Sequence, residues 1–243
     1  MMAANFGPLP VEEGITRCRR FHDEAVDDPF IRGNACVELG ALQAMSGDFP
    51  RGRELVAQGL DMIAGLGFSL RAAMSSQEAF YVEMLAGDLD AAERIARDAV
   101  AILERMGERS YLSSAAALLA HALTGLDQLD EAERFSRASE DAAAVEDAFS
   151  QVLWRSARAK IRAHRGEHDE AEALAREAVA VVERTDLLNT QGDTLADLGE
   201  VLALAGRSAE AAAAFEQAAE VLEQKGNRAS LERVRVAAQG LAR

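Results

Sequence analysis

The chain has 243 residues and a formal net charge of −15, from 41 acidic and 26 basic side chains, and only 5% of its residues are aromatic. Such an acidic excess disfavours binding to nucleic acid and to anionic membrane surfaces. The two cysteines, Cys18 and Cys36, supply neither a disulfide framework nor the spacing of a metal site, and we expect no cofactor.

Residues 1–9 are expected to form a loose arm. They lack the basic start and the apolar run of a secretion signal. No later segment approaches the roughly 18–20 apolar residues that a membrane span needs. We therefore expect a cytoplasmic protein that does not enter a membrane.

A lone helix is predicted over 10–26, ahead of the regular part of the chain. Val11, Ile15 and Cys18 follow each other at helical spacing and form one apolar stripe. The helix resembles the second helix of a pair whose first helix is missing, so its stripe lacks a neighbour. Unless residues 1–9 fold back over it, we expect this flank to drive self-association, giving a homodimer through the N-terminal helix.

The rest of the chain repeats about every 40 residues. Equivalent turn positions occur at Gly47, Gly87, Asp127, Gly166 and Gly206, at intervals of 40, 40, 39 and 40. Small residues stand five and twelve positions after each turn, on one helical face, where a neighbouring helix can approach closely. They are Gly52 and Gly59, Ala92 and Ala99, Ala132 and Ser139, Ala171 and Ala178, and Ala211 and Ala218. A fixed period of this size indicates a helical solenoid.

The period predicts a single repeat domain over 1–243. Helix pairs are expected at 29–65, 67–106, 108–144, 147–184 and 186–225, each joined by a Gly-type turn, with one continuous helix over 67–86. An amphipathic helix over 227–243 is expected to cap the last pair. The predicted fold is an all-α, right-handed α-solenoid of about five helix pairs, with a leading half unit and a C-terminal capping helix.

The pattern within each unit resembles that of tetratricopeptide repeats. A small residue in the first helix, as in Leu39-Gly40 and Leu198-Gly199, precedes the turn, and alanines follow in the second helix. Each unit is about six residues longer than the usual 34.

Longer segments carry a more specific resemblance. FGPLPVEEGITRC, MGERSYLSSAAALLAHAL and the sequence over 151–227 resemble the C-terminal repeats of large actinobacterial ATPase regulators, in which a cyclase-like or DNA-binding module precedes an AAA-type ATPase. The resemblance implies a sensor or scaffold arm of a signalling protein, without catalysis. The chain also lacks a GxxxxGK[ST] phosphate loop. It is then either a piece of such a regulator or a free-standing relative.

A stripe of arginines is the candidate site. Arg155, Arg158, Arg162 and Arg165 step by three, four and three along the first helix of a pair, which we expect to line the concave groove. Arginine can grip carboxylate or phosphate through two hydrogen bonds. Asn189 and Asp193 of the next first helix are expected to share this groove. The alternative is that the stripe pairs with acids of adjacent helices, from the set Glu140, Asp141, Glu146, Asp147, Asp193 and Asp197.

Three functions are compatible with these features. The first is a non-catalytic scaffold or sensor that binds a partner peptide or domain in its groove, in bacterial signalling or transcriptional regulation. The second is a sensor of a small anionic metabolite or nucleotide, held by the arginines. An enzyme has the least support, because Ser113, Ser114 and His121 lack a third, orienting group.

Overall fold

The computed structural model describes residues 5–241, and most of them lie in α-helices. Within this range there is no β-strand, and the predicted α-solenoid is confirmed. No helix among these residues is long and apolar enough to cross a lipid bilayer. Numbered along the chain, the helices are α1 (Val11–Glu24), α2 (Pro29–Met45), α3 (Phe49–Gly65), α4 (Ser69–Met74), α5 (Ser76–Ala86), α6 (Leu89–Met106), α7 (Arg109–Gly125), α8 (Leu129–Ala142), α9 (Ala148–His164), α10 (His168–Val182), α11 (Leu188–Leu204), α12 (Ser208–Lys225) and α13 (Arg228–Gly240).

One predicted helix is interrupted. The sequence predicts a continuous helix over 67–86, but the structure has two segments, α4 and α5, with Ser75 between them. The hydroxyl of Ser76 donates to the carbonyl oxygen of Ala73 at 2.6 Å. Serine side chains compete in this way for helical carbonyls, and serine pairs are a known cause of kinks. The prediction of one helix over 67–86 is therefore wrong at Ser75.

The turn positions that set the period share one backbone conformation. Each has a positive φ, at Gly47, Gly87, Asp127, Gly166 and Gly206. Asp127, with φ of 59°, is the one non-glycine residue of this kind in the described range. Its N–H bonds to the carbonyl of Thr124 at 3.1 Å, and that of Gln128 bonds to Leu123 at 2.9 Å, which is the Schellman pattern of a helix end. Asp127 therefore performs the same role as the four glycines.

The helices of the first complete pair, α2 and α3, pack backbone against backbone. A Cβ atom on Gly59 would lie 2.5 Å from the carbonyl oxygen of Gly33, and one on Gly40 would lie 2.7 Å from that of Gly52. Only glycine permits so close an approach. In the later units the equivalent positions are fully or almost fully buried alanines and one serine, as the small-residue pattern predicts.

The two ends of the solenoid meet. The Arg228 guanidinium of α13 lies 3.1 Å from the Glu12 carboxylate of α1. Further along α13, Arg233 donates to the carbonyl oxygen of Met84 in α5 at 3.2 Å, so α13 also contacts a later repeat. Helix α13 also packs on α12 and on α2. The superhelix therefore closes on itself.

The apolar flank of α1 is buried. Val11 and Cys18 are each 1% exposed, α1 packs on α2, and Leu9 of the N-terminal segment and Ala229 of α13 pack against the same core. The stripe on which the expectation of self-association rests is thus covered within the chain. The last two residues of the capping helix expected over 227–243 lie outside the described range.

The close α2–α3 contact can be tested within a single helix. Gly59→Ala should lower the free energy of unfolding by about 1–3 kcal/mol, because the added methyl group meets a backbone carbonyl that cannot move aside. Gly65→Ala is the matched control, since a Cβ atom there meets no atom within 4 Å. It should leave stability unchanged or raise it by up to about 1 kcal/mol. Denaturant titration measures both, and equal effects of the two substitutions would contradict the packing.

Candidate functional site

The first helices of the pairs line the centre of the closed superhelix. Two cavities there are formed by α5, α7, α9, α11, the residues just before α9 and α11, and the N-terminal segment, with α13 adding Arg233 to one of them. None of α3, α6, α8, α10 and α12 contributes a described residue to either cavity. We call this inner surface the channel.

The chain's own N-terminal segment lies in the channel. We call Asn5–Pro10 the arm. The ring of Phe6 is 5% exposed and lies 5.4 Å, between centroids, from both Tyr81 of α5 and Phe149 of α9. Interplanar angles of 60° and 63° are favourable for aromatic pairs. The expectation of a loose arm is therefore wrong for residues 5–7, which are buried, and residues 1–4 lie outside the described range.

A cavity of about 350 Å³ opens beside Phe6. The arm thus fills only part of the channel. The cavity walls combine apolar, hydroxyl, amide and carboxylate groups, and none of the described lining residues is basic. Apart from Phe6 and Gly7, they are Gln77, Ser110, Tyr111, Ser114, Asp147, Phe149, Asp186 and Leu187.

Two buried carboxyl groups lie near the start of the arm. The amide nitrogen of Asn5 donates to Glu38 of α2 at 2.6 Å, and both residues are buried. Burial raises the pKa of Glu38, although the charge of Arg71 acts in the opposite direction. Burial also raises the pKa of Glu78, and the nearby Glu38 carboxyl adds to that shift. One carboxyl oxygen of Glu78 has no hydrogen-bond partner among the described residues.

The other end of the arm is bound by Lys225 of α12. Its ammonium group donates to the carbonyl oxygens of Gly7 at 2.8 Å and Leu9 at 2.7 Å. The lysine is 0% exposed, and burial lowers its pKa to about 8. Since a buried ammonium needs oxygen acceptors, this contact fixes the arm to the C-terminal part of the solenoid.

Tyr81 also borders a second, smaller cavity of about 100 Å³ that holds a charged cluster. The Lys160 ammonium lies 3.0 Å from Asp197 and 2.7 Å from Glu200. Burial by itself lowers the pKa of Lys160, but these two carboxylates raise it above its ordinary value. Burial raises the pKa of Tyr81, and nearby acids add to this shift. The carboxyl groups at this cavity, Asp193, Asp197 and Glu200, thus outnumber its basic groups, Lys160 and Arg233.

The structure places Asp193 at this second cavity, without the arginines expected to share its groove, and Asn189 directly behind it. The carboxylate of Asp193 accepts from Ser230 at 3.2 Å and from Asn189 at 3.3 Å. Asn189 in turn accepts from Asn227 at 2.5 Å. Burial raises the pKa of Asp193 to about 6. These polar contacts join α11 to α13.

The structure places the arginine stripe away from the channel. The side chains of Arg155, Arg158 and Arg162 are 13–20% exposed and turn towards the second helices, α8 and α10. The prediction that these arginines line the groove is therefore wrong, because acids on or next to the neighbouring second helices hold their side chains. The ion pairs join Arg155 to Glu177 at 3.2 Å, Arg158 to Glu140 at 2.6 Å, Arg162 to Glu133 at 3.0 Å and to Glu167 at 2.5 Å, and Arg165 to Asp130 at 2.7 Å and to Glu133.

The indole of Trp154 completes this network. It lies 4.1 Å from the Arg155 guanidinium and 4.6 Å from that of Arg158, measured to the ring centroid, which are cation–π distances. The stripe is therefore paired internally, as the alternative holds, but of the acids named for it only Glu140 is a partner. Phe6, Glu38 and Lys225, which form or hold the arm, were not predicted as site residues from the sequence.

Comparisons with known proteins give one family match. Residues 150–224 match the tetratricopeptide repeat family model. No curated protein sequence matches the chain. The structure of BtubC from P. vanneervenii is 18% identical, with a TM-score of 0.61, over 95% of this chain and 92% of that one. The fold is a tetratricopeptide-type helical solenoid.

Two further solved structures share this fold. One is NprR in complex with its cognate peptide NprX, 14% identical, with a TM-score of 0.67, over 92% of this chain and 64% of that chain. The other is a signal transduction ATPase with numerous domains from Pyrococcus horikoshii that has a tetratricopeptide repeat sensor. It is 13% identical, with a TM-score of 0.52, over 96% of this chain and 37% of that one. This chain therefore spans less than two thirds of either protein.

The buried carboxyls predict a pH dependence of stability. Because the pKa of Glu78 is raised in the folded chain, the folded state keeps a proton that the unfolded state loses above about pH 4.3, so stability falls as pH rises through this window. Glu78→Gln mimics the protonated form. It should raise the free energy of unfolding more at pH 8 than at pH 5. The difference between the two increases should be at least about 1.4 kcal/mol, which corresponds to one pKa unit. Urea titrations at both pH values, with the exposed Glu216→Gln as control, provide the measurement. Parallel pH profiles of the Glu78 variant and the wild type would contradict the assignment.

Proposed function

We propose that this solenoid is a non-catalytic interaction module that binds a peptide or a segment of a partner protein in its channel. The observation that carries the proposal is the 350 Å³ cavity beside Phe6, which lies within the size range of ligand-binding sites and is walled by aromatic, hydroxyl and carboxylate groups. The peptide complex of NprR, which shares the fold, supports this mode of binding. A role in cytoplasmic bacterial signalling fits the sequence resemblance described above.

An anionic metabolite or nucleotide has less support as the ligand. The arginines expected to hold it are already paired with acids in the outer layer. The channel itself presents Asp147 and Asp186 at one cavity and an acid-rich cluster at the other. A net charge of −15 likewise argues against nucleic acid as a partner.

The hydroxyl and imidazole groups considered for a catalytic role have structural partners. The hydroxyls of Ser113 and Ser150 share a hydrogen bond of 2.7 Å. His121 lies 3.2 Å from the carbonyl oxygen of Leu153, and burial lowers its pKa. Ser113 and His121 thus take part in helix packing, which supports a non-catalytic role.

The test uses one exposed cavity residue. Peptides selected from a random-sequence display library against the wild-type chain are titrated against Ser110→Trp by fluorescence polarisation. The indole fills the cavity beside Phe6, so Kd should rise at least tenfold. Ser208→Trp is the matched control, because Ser208 is also exposed and also lies in a helical first turn, but on the second helix α12. Equal Kd values for the two variants would exclude the channel as the binding site.

A further inference from the structure

We infer that the channel recognises a partner segment with one aromatic and one basic side chain, and that this segment displaces the chain's own arm. The aromatic ring would take the place of Phe6 between Tyr81 and Phe149. The basic side chain would point towards Asp147 and Asp186. The inference rests on the proposed function and adds to it the chemistry of the ligand and an internal competitor.

The arm is bound as a ligand would be. Its contacts come from parts of the chain that are distant in sequence and from both side chains and backbone. The aromatic cage holds Phe6, the carboxyl of Glu38 holds the amide of Asn5, and the ammonium of Lys225 holds two backbone carbonyls. Only the last contact is independent of the side chains of the bound segment. Recognition at the first two therefore depends on an aromatic residue preceded by a hydrogen-bond donor.

Two carboxylates at the cavity have no ion-pair partner among the described residues. Asp147 and Asp186 line the cavity beside Phe6. The Asp147 carboxylate accepts a hydrogen bond from the N–H of Ser150 at 3.3 Å and caps α9, which does not neutralise its charge. The arm offers the two carboxylates no counter-charge, because Asn5–Pro10 contains no ionisable side chain. Opposite charges steer association and fix orientation at such surfaces. A segment that carries Lys or Arg beside its aromatic residue would therefore use the channel more completely than the arm does.

The partner segment and the chain's own arm compete for the same site in the channel. A tethered segment competes at an effective concentration in the millimolar range, which reduces the apparent affinity for a free ligand. The apparent Kd for the free ligand equals its intrinsic Kd divided by the fraction of molecules whose site is open. Weakening the arm without removing it should therefore raise the affinity for a free peptide that makes the same contacts.

The experiment uses the full chain with Phe6→Ala and four capped, fluorescein-labelled hexapeptides, the parent over residues 5–10, Asn-Phe-Gly-Pro-Leu-Pro, and three variants of it. The parent peptide should bind Phe6→Ala at least tenfold more tightly than it binds the wild type. The peptide with Phe6→Ala should lose binding at least tenfold. Pro8 is exposed and follows Gly7, which lines the cavity. The Pro8→Lys peptide should therefore bind at least threefold more tightly than the Pro8→Glu peptide, and this ratio should shrink with added salt.

Phe21→Ala is the control protein, because Phe21 is 41% exposed on α1 and lies outside the channel. It should bind all peptides as the wild type does, and circular dichroism should confirm that both variants are folded. Equal peptide affinity of folded Phe6→Ala and wild type would overturn the competitor role. Equal affinity for the Lys and Glu peptides would overturn the basic specificity. Dimers formed by exchange of arms between two copies, seen by light scattering, would identify a second copy as the occupant and also overturn the inference.

The two proposals fail in different ways. If library peptides bind the wild type and are blocked by Ser110→Trp, but Phe6→Ala leaves their affinity unchanged, the channel is the site and the arm is not its competitor. If the Ser110→Trp and Ser208→Trp variants bind library peptides equally, the channel itself is excluded, whatever the arm does.

Discussion

A buried cation joins the two ends of this molecule. Lys225, at the end of α12, is fully buried and donates to the carbonyl oxygens of Gly7 and Leu9, more than 200 residues away in the sequence. Removing an ammonium group from water is costly unless oxygens surround it. The C-terminal end of the solenoid and the arm are therefore stabilised together. A tetratricopeptide-type repeat array, which usually presents an open concave groove, here forms a closed channel.

Closure also sets the chemistry of the inner surface. In each repeat, one face of the first helix points towards the centre of the superhelix. The small residues at the contacts between paired helices allow the helices to pack closely. Polar groups on those faces, such as the buried Glu38 and the half-buried Asp193 and Lys160, then find partners on distant elements instead of in water. Polar networks of this kind favour one arrangement of the ends, because every other arrangement leaves buried charges unpaired.

Sequence predicts well what is local and repeated. The period identified Asp127 as a turn equivalent to four glycines, and its left-handed backbone agrees. Closure could not be predicted, because it depends on small tilts added over five units. The arm has no periodicity to interpret. The arginines of the stripe share one helical face, but their spacing alone does not show which neighbouring helices that face contacts. In the structure, ion pairs with acids on α8 and α10 determine the direction of these side chains. Lys225 did leave a signal, three residues after Leu222 and seven after Ala218, on the buried face of α12.

Closure of the superhelix is tested most directly by the distance between its ends in solution. Nitroxide labels on cysteines at Glu12 and Arg228, which are exposed and paired at 3.1 Å, report on α1 and α13, while the native Cys18 and Cys36 are buried. Loss of this exposed ion pair costs at most about 1 kcal/mol, so labelling leaves the ends free to meet. Electron–electron double resonance should give one narrow distribution at short distance. A broad or long distribution would show an open solenoid and contradict the account.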